Sequence, residues 1–127
     1  MVGPTILLVE DDESARELIA HSLKAAGYQC SFAGDTSQAL ELVGQARPAL
    51  IVTDFMMPAG GGSTLHMRLR LSAATRDIPV LILSAADRNF VLQSVQMDAR
   101  TYFLAKPYRK DELLALVGEI LKQGAQP

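Results

Sequence analysis

A chain of 127 residues, 49% apolar and 20% charged, has the length and composition of one globular domain with a core of its own. A formal net charge of −2 gives no general attraction to nucleic acid or anionic membrane, and the apolar runs are too short to span a bilayer. The lone cysteine, Cys30, excludes an internal disulfide or a cysteine-rich zinc site and fits a reducing cytoplasm.

Thr5 to Val9 (TILLV) is a continuous apolar run, as expected of a strand covered on both faces. A helical stripe follows at Ala15, Leu18, Ile19, Ser22, Leu23 and Ala26, and Gly27 stands where a helix ends. QCSFA, 29–33, reads as a weaker strand, and Ala39, Leu40, Leu42, Val43 and Ala46 as the next helical face. ALIVT at 49–53 and PVLIL at 79–83 are two further strands. Between them LHMRLRL, 65–71, alternates like a strand, but parallel neighbours need a crossover, so a helix is expected. TYFL at 101–104 is the fifth strand, and Leu113, Leu116, Val117, Ile120 and Leu121 line the last helix. Five strands alternating with five helices predict an α/β fold, a parallel sheet between helical layers. Residues 1–127 read as a single domain with its core over about 5–122, and 123–127 as a polar tail or the start of a linker.

In such a sheet, ligands sit beyond the carboxyl ends of the strands. The first strand delivers Glu10, Asp11 and Asp12 there, the third Asp54, the fourth Ser84 and the fifth Lys106. Neighbouring carboxylates repel one another and lose hydration at a buried edge, so they call for positive charge. With no His or Cys among them they suit a hard, oxygen-seeking cation such as Mg²⁺, for which Mn²⁺ substitutes. A hydroxyl and an ammonium beside that cation make a receptacle for a phosphoryl group. Asp54 could itself accept the group as an aspartyl phosphate.

Four segments, LLVEDDES, VTDFMMP, VLILSA and FLAKP, occur in the order found in the receiver domain of two-component response regulators, and this chain resembles that family from Thr5 to Lys122. Asp54 follows Asp11 by 43 residues and Lys106 follows Ser84 by 22, spacings that also fit the family. The resemblance implies the flavodoxin-like strand order 2-1-3-4-5 of the chemotaxis receiver. Alignment through the first strand and through Arg16, Leu23 and Gly27 puts the family's acid pair at Glu10 and Asp11, leaving Asp12 to cap the first helix. The implied roles are then direct metal ligation by Asp11 and by the phosphoacceptor Asp54, ligation by Glu10 through water, and a backbone carbonyl ligand from Met56. Ser84 matches the hydroxyl that binds the phosphoryl group, and Lys106, before an expected cis Pro107, matches the family's lysine. Phe103 falls on the aromatic switch position, with static core as its rival reading.

The resemblance implies a phosphorylation-activated switch and not an enzyme acting on a separate substrate. A sensor histidine kinase or phosphotransfer protein would supply the phosphoryl group. The surface of helix four, strand five and helix five would meet a downstream protein or effector domain, or a second copy in a homodimer. No direct binding to nucleic acid or membrane is implied, and the expected location is cytoplasmic. Two other readings belong to different classes. A pseudo-receiver would bind partners without phosphorylation, which the full set of site residues disfavours. A haloacid-dehalogenase-like hydrolase would need a second aspartate two residues after its nucleophile, where this chain has Met56.

Three positions depart from the family's pattern. Ala99 stands where a glycine commonly precedes the fifth strand, three glycines (60–62) suggest a looser loop after Pro58, and Ser84 replaces the commoner threonine. His21 and His66 fall on helices away from the strand ends and receive no catalytic part.

Overall fold

The computed structural model describes residues 4–57 and 61–124. Strands β1 (Thr5–Val9), β2 (Gln29–Ala33), β3 (Leu50–Asp54), β4 (Val80–Ser84) and β5 (Thr101–Ala105) alternate with helices α1 (Glu13–Ala25), α2 (Thr36–Gln45), α3 (Gly61–Leu71), α4 (Arg88–Ser94) and α5 (Lys110–Gly124). All strand pairings are parallel and the order is β2-β1-β3-β4-β5, the flavodoxin-like arrangement expected from the resemblance.

The pleat explains the continuous apolar runs. Ile6, Leu8, Leu50, Val52, Leu81 and Leu83 pack with Ile19, Leu23, Leu113, Val117 and Ile120 of α1 and α5. Their strand neighbours Leu7, Val9, Ile51, Val80 and Ile82 pack on the other face with Ala39, Val43, Leu65, Leu69, Val91 and Val95. The central strands run apolar at successive positions, Ile6–Val9, Leu50–Val52 and Val80–Leu83, because both of their faces are covered.

Local signals set the helix ends. Asp12 caps α1 by accepting from the Ala15 N–H, and Asp35 caps α2 by accepting from the Gln38 N–H. Gly27, at φ +99°, takes the left-handed position after α1 that a side chain would resist.

Several sequence expectations need correction. Leu18 does not belong to the buried stripe of α1; it is 73% exposed, and Ala20 is buried instead. In α3 the helix separates what the alternating pattern had aligned. Leu65 and Leu69, four apart, enter the core, whereas Met67 and Leu71 are exposed. Of the three glycines, Gly60, like the preceding Pro58, lies outside the described residues, while Gly61 and Gly62 form the buried first turn of α3. A Cβ on Gly61 would stand 2.3 Å from the Phe55 carbonyl oxygen, and one on Gly62 would stand 2.9 Å from that of Asp54. These two glycines therefore serve close packing against the end of β3, not looseness. α5 continues to Gly124, and Gln123, assigned by sequence to the polar tail, accepts a 2.7 Å hydrogen bond from the Tyr102 hydroxyl.

Candidate functional site

The acidic run after β1 divides by position. The Glu10 N–H donates to Ala33 O across the β1–β2 edge; the residue is only 6% exposed, and its carboxylate accepts from the Asp12 N–H at 3.2 Å. Asp11 is exposed at the strand mouth, and Asp12 turns away to cap α1. Asp54, the last residue of β3, is half-buried beside them. One carboxylate oxygen from each of Glu10, Asp11 and Asp54 lies within 4.8 Å of the other two.

Lys106, just past β5, brings its Nζ to 3.3 Å from Asp54 Oδ1. Its backbone N–H donates to Ser84 O at 2.8 Å, so the ends of β4 and β5 enter the site together. The Lys106–Pro107 bond is cis. Ser84 is fully buried, and its Oγ accepts the Ala86 N–H at 2.9 Å. The Met56 side chain points largely to solvent at 63% exposure, which leaves only its backbone as a candidate ligand.

Electrostatics at this edge are unbalanced towards negative charge. Burial raises the Glu10 carboxyl above its ordinary range; the Asp54 and Asp11 charges add to this, while the Asp12 N–H and Lys106 oppose it. Tyr108 was not singled out from sequence. Burial pushes its phenol up, and the charges of Glu10 and Asp54 push it further. The only signal for it was an aromatic two residues beyond Lys106.

The geometry thus collects Glu10, Asp11, Asp54 and Lys106, with Ser84 joined through the backbone. Phe103 pairs with Ile82 farther back along β5, half-buried against the core on the α4 side of the sheet. Three acids with oxygen donors only, one ammonium, and no His or Cys in the cluster fit a hard divalent cation and a phosphoryl group. His66 is buried at the middle of α3, bonded to Thr101 at the opposite end of β5 from Lys106.

Residues 6–118 match the family model described as the response regulator receiver domain. The phosphate regulon transcriptional regulatory protein PhoB of Pseudomonas aeruginosa is 37% identical over 124 residues, 97% of this chain and 54% of that protein. Response regulator MprA of Mycobacterium leprae is 38% identical over 120 residues, covering 93% of this chain and 51% of its own length. The chain therefore spans about half the length of these curated relatives. Among solved structures, the signal receiver domain of a signal transduction histidine kinase from Syntrophus aciditrophicus aligns with a TM-score of 0.89 and 29% identity, over 98% of this chain and 95% of that one. Chemotaxis protein CheY4 of Vibrio cholerae aligns at 0.85 with 27% identity, over 94% of this chain and 99% of its own. A family match that runs from β1 into α5, over a sheet whose acid cluster is consistent with a phosphorylation site, means that this chain belongs to the response regulator receiver domains, the phosphoacceptor signalling modules of two-component systems rather than classical enzymes.

Proposed function

We propose that this chain is a phosphorylation-activated switch whose phosphoacceptor is Asp54. The observation that carries the reading is the approach of the Glu10, Asp11 and Asp54 carboxylates within 4.8 Å, with Lys106 Nζ 3.3 Å from Asp54. Asp11, Asp54 and the Met56 carbonyl would hold Mg²⁺, or Mn²⁺ in its place, with Glu10 acting through water. The bound cation would neutralise charge on the phosphoryl oxygens as transfer proceeds.

The remaining steps belong to the chain itself. An Asp54 carboxylate oxygen attacks phosphorus in line as the bond to the donor breaks, and the leaving atom takes the electron pair; a histidine nitrogen then picks up a proton from solvent, whereas an acyl phosphate leaves as its carboxylate. A histidine kinase or phosphotransfer protein, or a small acyl phosphate, serves as donor. Lys106 is already beside the attacking carboxylate and pairs with the oxygens of the arriving group. Ser84 exchanges its bond with the Ala86 N–H for one to the phosphoryl group, and Phe103 turns inward. The α4–β5–α5 surface then shifts towards the form that a downstream protein, an effector domain or a second copy recognises. We place this activity in one domain, in the cytoplasm.

Incubation with acetyl phosphate tests the reading by intact mass. One added phosphoryl group that requires Mg²⁺ and disappears with chelator is the expected result. Partner binding without any adduct would favour a phosphorylation-independent interaction module.

A further inference from the structure

α4 starts against two aromatic rings, one on β5 and one just past the end of β3. The guanidinium carbon of Arg88, its first residue, lies 5.6 Å from the ring centroid of Phe103 on β5. Phe90, two residues on, meets Phe55 edge-on, with centroids 5.9 Å apart and planes at 87°. Phe55 directly follows Asp54. The helix has few other holds. It runs only seven residues, Asp87 gives it no side-chain cap, and Val91 is its one buried residue. A helix this short depends on tertiary contacts for its position.

We propose that Arg88 is a positioning residue that holds Phe103 in its half-buried place on the α4 side of the sheet and thereby sets how readily the domain switches. This rests on the reading of Asp54 as phosphoacceptor and of Phe103 as the moving aromatic. Phe103 packs against the core on the α4 side while the Arg88 charge attracts the ring's electron-rich face. A ring that turns inward leaves that charge behind. The same segment carries the other hold, because Ser84 Oγ accepts from the Ala86 N–H at 2.9 Å, two residues before Arg88. A hydroxyl that leaves Ala86 for the phosphoryl group frees the backbone that carries Arg88, so the stack and the hydroxyl bond give way together. Arg88 acts through Phe103, the ring its guanidinium lies over.

Calorimetric titration with beryllofluoride at saturating Mg²⁺ tests this on the wild-type chain, Arg88→Ala, Arg88→Lys, Phe103→Leu and the Arg88→Ala/Phe103→Leu double variant. Arg88 is exposed, so folding is expected to survive, with circular dichroism as the check. Loss of a contact made only with Phe103 in this half-buried place should tighten binding about two- to fivefold in Arg88→Ala, and less in Arg88→Lys. In the Phe103→Leu background the arginine change should have no effect. Equal or weaker binding by Arg88→Ala, or tightening that persists without the Phe103 ring, overturns the proposal. A wild-type chain that takes up no beryllofluoride overturns the phosphorylation reading itself, and the role of Arg88 falls with it.

Discussion

His66 Nε2 lies 2.7 Å from Thr101 Oγ1 and joins α3 to the first residue of β5. Thr101 gives its single hydroxyl proton to Asp98 Oδ1 at 2.8 Å and accepts from Arg70 Nη2 at 3.1 Å, so the neutral imidazole must carry its proton on Nε2 and donate. A second proton would put a buried cation beside the Arg70 guanidinium, relieved only by Asp98 3.8 Å away.

Stability should therefore fall on mild acidification. Burial first, then Arg70, lowers the His66 pKa from its ordinary 6.5, with Asp98 opposing them. Below that ordinary value the unfolded chain takes up a proton that the folded chain refuses. Its contribution to stability is full above 6.5 and is lost as pH falls towards the folded value. Urea midpoints at about pH 7.5 and about pH 5.5 should differ more for the wild type than for His66→Gln. An equal difference in both would contradict the assignment.

Arg70 is the centre of the same network. It donates to Asp98 Oδ2 at 2.8 Å, Ile78 O at 2.7 Å and Arg100 O at 3.2 Å, while Asp98 accepts the Arg100 N–H at 2.9 Å. Burial would raise the Asp98 carboxyl, but bonds from Arg70, Thr101 and the Arg100 backbone outweigh it and hold the pKa at about 2. These bonds hold the turn before β5, which includes Ala99. Arg70→Ala should cost about 2–3 kcal/mol, because it leaves carbonyls and a carboxylate without their donor. Denaturant unfolding at neutral pH measures this, and a loss near zero would refute it.

Two glycines separate backbone strain from steric fit. Gly27 has φ +99° with open space where a Cβ would go, so Gly27→Ala should cost about 1 kcal/mol. Gly61 combines φ +57° with a Cβ position 2.3 Å from Phe55 O, so Gly61→Ala should cost about 3 kcal/mol or more. It should also slow phosphorylation, since Phe55 adjoins Asp54. Equal losses by urea unfolding would argue against the close approach of α3 to the end of β3.

The strands were legible because strands buried on both faces leave little choice of residue, as in Ile6-Leu7-Leu8-Val9. The acid cluster was legible for a different reason: the fold brings strand ends together, and Glu10, Asp11, Asp54, Ser84 and Lys106 all stand at those ends. Leu18 misled because periodicity marks an apolar stripe without saying how wide the covering layer is. Glycine composition could not distinguish a loose loop from close packing, which depends on how near the end of β3 comes to Gly61 and Gly62. The stack of Arg88 on Phe103 had no periodic signal either, since it joins two elements through exposed or half-buried side chains.

Lys106 should matter for rate more than for metal. Its Nζ contacts Asp54, and the acids that would hold Mg²⁺ do not include it. Lys106→Ala is expected to slow adduct formation from acetyl phosphate by about a hundredfold while Mg²⁺ still binds. Loss of Mg²⁺ binding together with the rate would contradict this division of labour.

The most direct test asks where the phosphoryl group goes. After incubation with acetyl phosphate and Mg²⁺, borohydride reduces an aspartyl phosphate to homoserine, and peptide mass spectrometry then locates the altered residue. The account predicts homoserine at position 54 alone, and none in the Asp54→Asn variant. Conversion at Asp11 or another acid with Asp54 unchanged, or none when the donor and Mg²⁺ are competent on a control receiver, would contradict it.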